Sequence, residues 1–438
     1  MSLDAKQTEG RSVTRVDDLL GYFRDAEQPR GGRLVGLEHE KLLYPKSAAG
    51  PSFPPVAYPG GIERVFQGFA RFGWKEFREG TGLPVIAMTR GSATLSLEPG
   101  GQFELSGTAS KTARAAHQEN LQHLSELHQV LEPLGLRAVA LGYRPFDRVP
   151  DMPWMPKTRY RVMRQTLGSR GTLAHQMMLM TATGQVSLDW ASEAECVQMV
   201  SLAARVTPLL VALYANSPLV EGKPSGFKSF RSHVWSDVDR ARCGFLPSMF
   251  DGSFSYRAYV EWALDAPLLF LRRRGQYLSP ALTFRQLLAE GFEGKAALYD
   301  DWVDHLSTLF PEVRIKRVLE IRSADCCNAA MTGALAALMR GLLYDPLARD
   351  ELGQLLPPRT LAQHQRLHEQ AQREGLQAFG APALELVGIA RRGLQRLGGD
   401  DGALLDVLED RARSQSSPAD ELLAVPPEPD QIFTAAQI

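Results

Sequence analysis

Glu38 and Glu40 lie two residues apart in the run Leu34 to Tyr44, which contains no proline and a single glycine, Gly36. Side chains alternate along a strand, so both carboxylates leave the same face. The apolar residues around them, Val35, Leu37, Leu42 and Leu43, predict a buried strand. Paired carboxylates repel one another there unless a cation lies between them. A second pair, Glu98 and Glu104, flanks Pro99-Gly100-Gly101, a hairpin signal. A three-residue turn pairs Glu98 with Gln102 and leaves Glu104 on the same face, whereas a two-residue turn puts the two glutamates on opposite faces. In Glu320-Ile321-Arg322 a further carboxylate shares a strand face with a cation. Hard oxygen donors without a Cys or His cluster suit Mg2+ or Mn2+ better than zinc.

Such ions bind together with substrate phosphates, so the chain needs a place for phosphate. It has no GxxxxGK[ST], and no GxGxxG placed between a strand and a helix, which excludes the P-loop and dinucleotide-fold readings. Cations offer another route. Lys41, Arg231, Arg242 and Arg322 lie near the acidic or Gly-rich motifs, and Lys223 sits in the Gly/Pro loop Glu221 to Phe227. His364 and His368 are four apart but lack an HExxH context, and Met177, Met178 and Met180 read as core packing.

These residues need elements to hold them. The chain has 438 residues, 49 basic against 50 acidic, and 44% hydrophobic residues. That composition excludes disorder as the main state, and the near-zero balance argues against a nucleic-acid or membrane surface binder. The start of the chain lacks a secretory pattern and its four cysteines show no zinc spacing, so a cytoplasmic protein with free thiols is expected. Hairpin-like strands and scattered helices, followed by a helical final third, predict an α+β fold. Residues 1–345 are expected to form the catalytic body, 346–413 a helical extension and 414–438 a flexible Ser/Pro/Glu-rich tail.

Seven stretches carry a resemblance: GLEHEK (36–41), LEPGGQFELSG (97–107), MPKTRYRVM (155–163), QVSLDW (185–190), ANSPLVEGKPSGF (215–227), RSHVWSDVD (231–239) and FPEVRIKRVLEIRSAD (310–325). In order and spacing, across residues 33 to 345, they closely resemble the glutamate-cysteine ligases of the plant and proteobacterial type. The resemblance implies a glutamine-synthetase-like catalytic fold, a curved antiparallel sheet forming a helix-surrounded funnel for ATP, Mg2+ (or Mn2+) and glutamate. It implies ATP-dependent joining of the glutamate γ-carboxylate to the cysteine amine through a γ-glutamyl phosphate, a step of glutathione biosynthesis.

By motif position, Glu38, Glu40, Glu98, Glu104 and Glu320 are expected as metal ligands, with Glu38 and Arg322 catalytic. Arg231, Gln185, Trp235, Tyr160 and Arg164 are expected around the substrate, and Lys41, Lys223 and Arg242 around the nucleotide. Two stretches depart from the family pattern. Met180-Thr181-Ala182-Thr183 stands where relatives carry an Arg and a Cys, and Cys326-Cys327-Asn328-Ala329 replaces a Gly-Gly-Pro-Trp loop. The missing Cys rules out a family-type disulfide from that position. The departures keep two alternatives open: a ligase using a different amino acid or amine, and an inactive nucleotide- or amino-acid-binding protein.

Overall fold

The run Val35–Pro45 forms one 11-residue strand, β1, at the middle of a nine-stranded sheet. The computed structural model describes residues 10–29, 32–47, 54–273 and 275–438, so the first nine residues of the expected catalytic body lie outside the described residues. In chain order the other strands of the sheet are β2 (Lys75–Arg78), β3 (Val85–Arg90), β4 (Ala93–Leu97), β5 (Phe103–Ser106), β6 (Leu136–Val139), β7 (Thr183–Leu188), β8 (Val313–Ile315) and β9 (Leu319–Asp325). Their spatial order is β8-β9-β7-β1-β5-β4-β3-β2, and β6 pairs with the far end of β1. All these pairings are antiparallel, and the sheet stays open rather than closing into a barrel. The α+β expectation holds.

Alternation along the strands separates two surfaces. Val35 and Leu37 from β1 and Val186 and Leu188 from β7 enter an apolar core, while Glu38, Glu40 and Gln185 face the other way. Helices cover the apolar face, chiefly α1 (Ala113–Leu131), α2 (Glu193–Tyr214) and α4 (Ala329–Tyr344), whereas the short α3 (Phe230–Trp235) lies beside the polar face. Ser192 caps α2 by accepting from the Glu195 backbone N–H, as its Ser-x-x-Glu start predicts. By length and composition α2 would reach across a membrane, yet 78% of its apolar window is buried in the fold.

The expected flexible tail is corrected, and the helical extension packs into the core of the catalytic body. Leu342 of α4 and Ile389 beyond it share one core with Leu37 and Val186, so no seam separates the sheet from the helices after residue 345. Residues 414–438 are not a loose tail: they fold into the helices Pro418–Ala424 and Pro429–Ala435. Pro at the first helical position costs nothing, because that N–H has no intrahelical partner. Leu422, Ile432 and Phe433 then bury themselves against Leu42 and Tyr44 of β1, with the Tyr44 and Phe433 rings 4.5 Å apart. Three well-placed apolar side chains outweigh the polar composition of the segment.

Candidate active site

The turn between β4 and β5 has three residues. The Glu98 N–H donates to the Gln102 carbonyl (3.0 Å) and the Gly101 N–H to the Glu98 carbonyl (2.9 Å). Gly101 has φ +81°, a left-handed conformation that glycine adopts without steric cost. A Cβ on Gly100 would lie 2.2 Å from the Leu179 carbonyl oxygen, so only glycine lets the turn sit this close. The Gln102 side chain locks it, accepting from the Gly100 N–H (3.0 Å) and donating to the carbonyls of Met178 (3.2 Å) and Thr181 (2.8 Å). Glu98 and Glu104 consequently face the same way.

Register brings these two to the β1 pair. Glu40 stands opposite Glu104, and Glu38 lies between Ser106 on one side and Gln185 on the other. Ser106 Oγ donates to Glu104 at 2.5 Å and approaches Glu38 at 3.5 Å. Glu38, Glu40, Glu98 and Glu104 all line one cavity of about 670 Å³. Burial, with Glu98 and Glu104 nearby, holds the Glu40 carboxyl well above the usual range. Burial and Glu104 likewise push Glu98 up to about 7. Repulsion of this kind is relieved by a cation.

The five expected metal ligands do not form one cluster. Among the described residues, no three His, Cys, Asp or Glu side chains come together as a cage for an ion. The incomplete oxygen set facing the cavity still suits a hard divalent ion of the Mg2+ type, which takes one or two carboxylates and fills its shell with water and substrate phosphate. Glu320 belongs elsewhere. Its carboxylate accepts from Arg314 Nε (2.5 Å) and Lys316 Nζ (2.8 Å), with Arg322 3.7 Å away. Burial opposes its ionisation, but Arg314 and Lys316 hold it well below the usual carboxylate range. Three cations occupy this carboxylate, which makes it the anchor of a basic wall.

Arg322 faces the cavity from that wall, and its Nη1 donates to Gln185 Oε1 (2.7 Å) on the adjacent strand. Arg231 and Trp235, both on α3, line the same cavity. Arg231 Nη2 donates to the Arg322 carbonyl (2.9 Å). Arg231 Nε and Trp235 Nε1 are buried donors with no acceptor among the described residues. Buried donors are normally satisfied, and a carboxylate is the acceptor that suits a guanidinium best. Tyr160 also lines the cavity, its hydroxyl donating to the Leu97 carbonyl.

Four expected site residues are not brought in. Lys41 is an odd-numbered neighbour of Glu38 and Glu40, so alternation sends it through the sheet to the apolar side. There its Nζ donates to the His39 carbonyl (2.6 Å), and burial lowers its pKa to about 7. Arg242 is a buried structural clamp, paired with Asp239 (2.7 Å) and donating to the carbonyls of Thr308 and Pro267. Lys223 is exposed on the small hairpin Leu219–Val220/Lys223–Pro224. Arg164 is exposed and lies over the Trp154 ring, 4.7 Å from its centroid.

Sequence reasoning missed Lys157, Arg314 and Lys316, which all line the cavity. Lys157 Nζ donates to the Leu97 carbonyl (2.6 Å), and burial lowers it to about 8. A signal existed for the other two: in Val313-Arg314-Ile315-Lys316 the cations alternate with apolar residues as on a half-buried strand.

The model of the glutamate-cysteine ligase family 2 matches residues 34–434. The chloroplastic glutamate-cysteine ligase of Arabidopsis thaliana is 37% identical over 418 residues, spanning 93% of this chain and 79% of that protein. Its counterpart in Brassica juncea is 36% identical over 417 residues, spanning 93% and 80%. The crystal structure of a Francisella tularensis glutamate-cysteine ligase in complex with AMP covers 92% of this chain and 87% of its own with a TM-score of 0.54. At 13% identity this is a likeness of fold. The relatives in Arabidopsis, Brassica, Medicago truncatula and Nicotiana tabacum are chloroplastic proteins, which overturns the expectation of a cytoplasmic protein.

Proposed function

The chain belongs to the glutamate-cysteine ligase family 2, and from that premise we propose that it uses ATP to join the γ-carboxylate of glutamate to the amine of cysteine. One observation carries this reading: a single cavity sets the carboxylates of Glu38, Glu40, Glu98 and Glu104 against the cations of Arg314, Lys316 and Arg322. That division suits a metal-bound triphosphate meeting an acidic substrate.

In this reading Glu38, Glu40, Glu98 and Glu104 would offer one or two carboxylates to each Mg2+ or Mn2+ ion, which would neutralise triphosphate charge and polarise the transferring group. Arg231, backed by its bonds to β9, grips a glutamate carboxylate, and Trp235 offers a second donor. The γ-carboxylate oxygen attacks the terminal phosphorus, the bond to ADP breaks, and Arg322, held by Gln185, stabilises the charge on the phosphoryl oxygens. The acceptor amine then attacks the acyl carbon, loses one proton and expels phosphate. Arg314 and Lys316, locked by Glu320, keep their charges in place throughout, so catalysis rests on positioning and preorganised charge.

Cysteine is the acceptor that the names of the relatives point to. Of the two stretches that depart from the family pattern, Ala182, Cys326 and Cys327 are buried in apolar clusters away from the cavity, whereas Thr181 and Thr183 line it. The deciding measurement supplies purified protein with ATP, Mg2+, glutamate and either cysteine or a panel of other amines, and identifies products by mass spectrometry. γ-Glutamylcysteine should dominate with stoichiometric ADP. ADP release only with another amine, or none with any, would overturn the reading.

A further inference from the structure

Asp325 ends β9 with only 2% of its surface exposed, and it does not line the cavity. Three hydrogen bonds converge on its carboxylate. Oδ2 accepts from the Asn216 backbone N–H (2.9 Å) and from Ser217 Oγ (2.6 Å), and Oδ1 accepts from Ser229 Oγ (2.8 Å). Arg231 Nη1 lies 3.9 Å from Oδ1. The two serines are tied to Arg231 in turn. Ser217 Oγ accepts from the Arg231 backbone N–H (3.0 Å), and Ser229 caps α3 by accepting from the Ser232 N–H (3.2 Å). A Cβ on Gly142 would come within 2.5 Å of the Asp325 carboxyl carbon, so the carboxylate is packed from behind as well.

We propose that Asp325 is a positioning residue: it orients Arg231 and balances its charge, so that the guanidinium is already placed when a glutamate carboxylate arrives. Burying a guanidinium among neutral acceptors is costly, and an anion behind it offsets that cost without occupying the donors that face the cavity. The charge works through Arg231, while the hydrogen bonds to Ser217 and Ser229 set the start of α3, and with it the direction of Arg231. The inference rests on the reading that Arg231 binds glutamate.

The test is steady-state kinetics on five variants in the full chain, with folding checked by thermal melting. Asp325→Asn keeps the shape but removes the charge, and should raise the KM for glutamate about tenfold while leaving the KM for ATP and kcat within about twofold. An unchanged glutamate KM, or an equal rise for both substrates, would overturn the proposal. If Asp325→Asn does not fold, Ser217→Ala and Ser229→Ala carry the test. Each should raise the glutamate KM a few-fold, and no change in either counts against the role.

Arg231→Ala separates the two levels. A rise in glutamate KM upholds the underlying reading, and adding Asp325→Asn to it should then change nothing further. A full additional effect means that Asp325 does not act through Arg231. An unchanged glutamate KM in Arg231→Ala removes the underlying reading, and the proposal with it.

Discussion

Glu40 stands directly opposite Glu104 across the β1–β5 ladder, and both carboxylates face the cavity. Like charges in facing positions of an antiparallel pair destabilise the sheet. A fold that keeps them is spending stability on a charge arrangement that only a ligand can complete.

Replacing either by glutamine should therefore make the ligand-free protein more stable. At a pH high enough to ionise both carboxylates, Glu40→Gln removes a repulsion worth about 1 kcal/mol, which raises the melting temperature by about 1 to 3 °C. The same change should lower ligase turnover by about a hundredfold or more. Melting without added metal and a coupled ADP assay check the two halves. A variant that melts lower and remains active would contradict both.

The raised pKa of Glu98 gives a pH signature. Its carboxyl holds a proton up to about 7 in the folded protein, because burial and Glu104 disfavour its charge, against 4.5 ordinarily. The folded state therefore binds this proton more tightly than the unfolded chain, and the stability so gained is lost as pH rises from about 4.5 through 7. Glu98→Gln has no such loss. Its melting temperature should gain on that of the parent across that interval and hold a constant lead above it. A difference independent of pH would count against the assignment.

Glu320→Gln should leave Arg314 and Lys316 without their shared anion. Removing one partner of a buried ion pair costs about 3 to 5 kcal/mol, so the variant should unfold at lower denaturant. If Arg314 and Lys316 hold phosphate, the KM for ATP should rise about tenfold while that for glutamate changes less. A metal-ligand role for Glu320 predicts a different outcome, namely partial rescue by raised Mg2+.

Phe433→Ala tests the C-terminal helices. Phe433 is 2% exposed and packs on Tyr44, and truncating a buried phenylalanine costs about 3 to 5 kcal/mol. Chemical denaturation should show that loss. A loose tail would show none.

How much was legible depended on the range of the interaction. Glu38 and Glu40 could be placed on one face because period-two alternation is local, whereas Glu98 and Glu104 share a face only for one of the two turn lengths that the sequence permits. The same rule, applied to residue 41, would have sent Lys41 to the far side; reading it only as a cation near an acidic motif placed it wrongly. Arg242 and Lys223 failed for the same cause. Proximity in sequence to a Gly-rich loop says nothing about which face of the fold a long side chain reaches.

Sequence alone determined the strand pattern of β1, the shared face of Glu38 and Glu40, the two permitted outcomes for the Pro99-Gly100-Gly101 turn, and the family resemblance. Tertiary structure decided which turn forms, through the close contact of Gly100 with Leu179 and the three hydrogen bonds of Gln102. It also decided that Glu320 anchors cations, that Asp325 lies behind Arg231, and that the last 25 residues seal the end of β1. Each of these depends on partners brought together from distant parts of the chain. Local periodicity carries no information about them, because the energy of a buried charge or ring is set by whatever the fold places beside it.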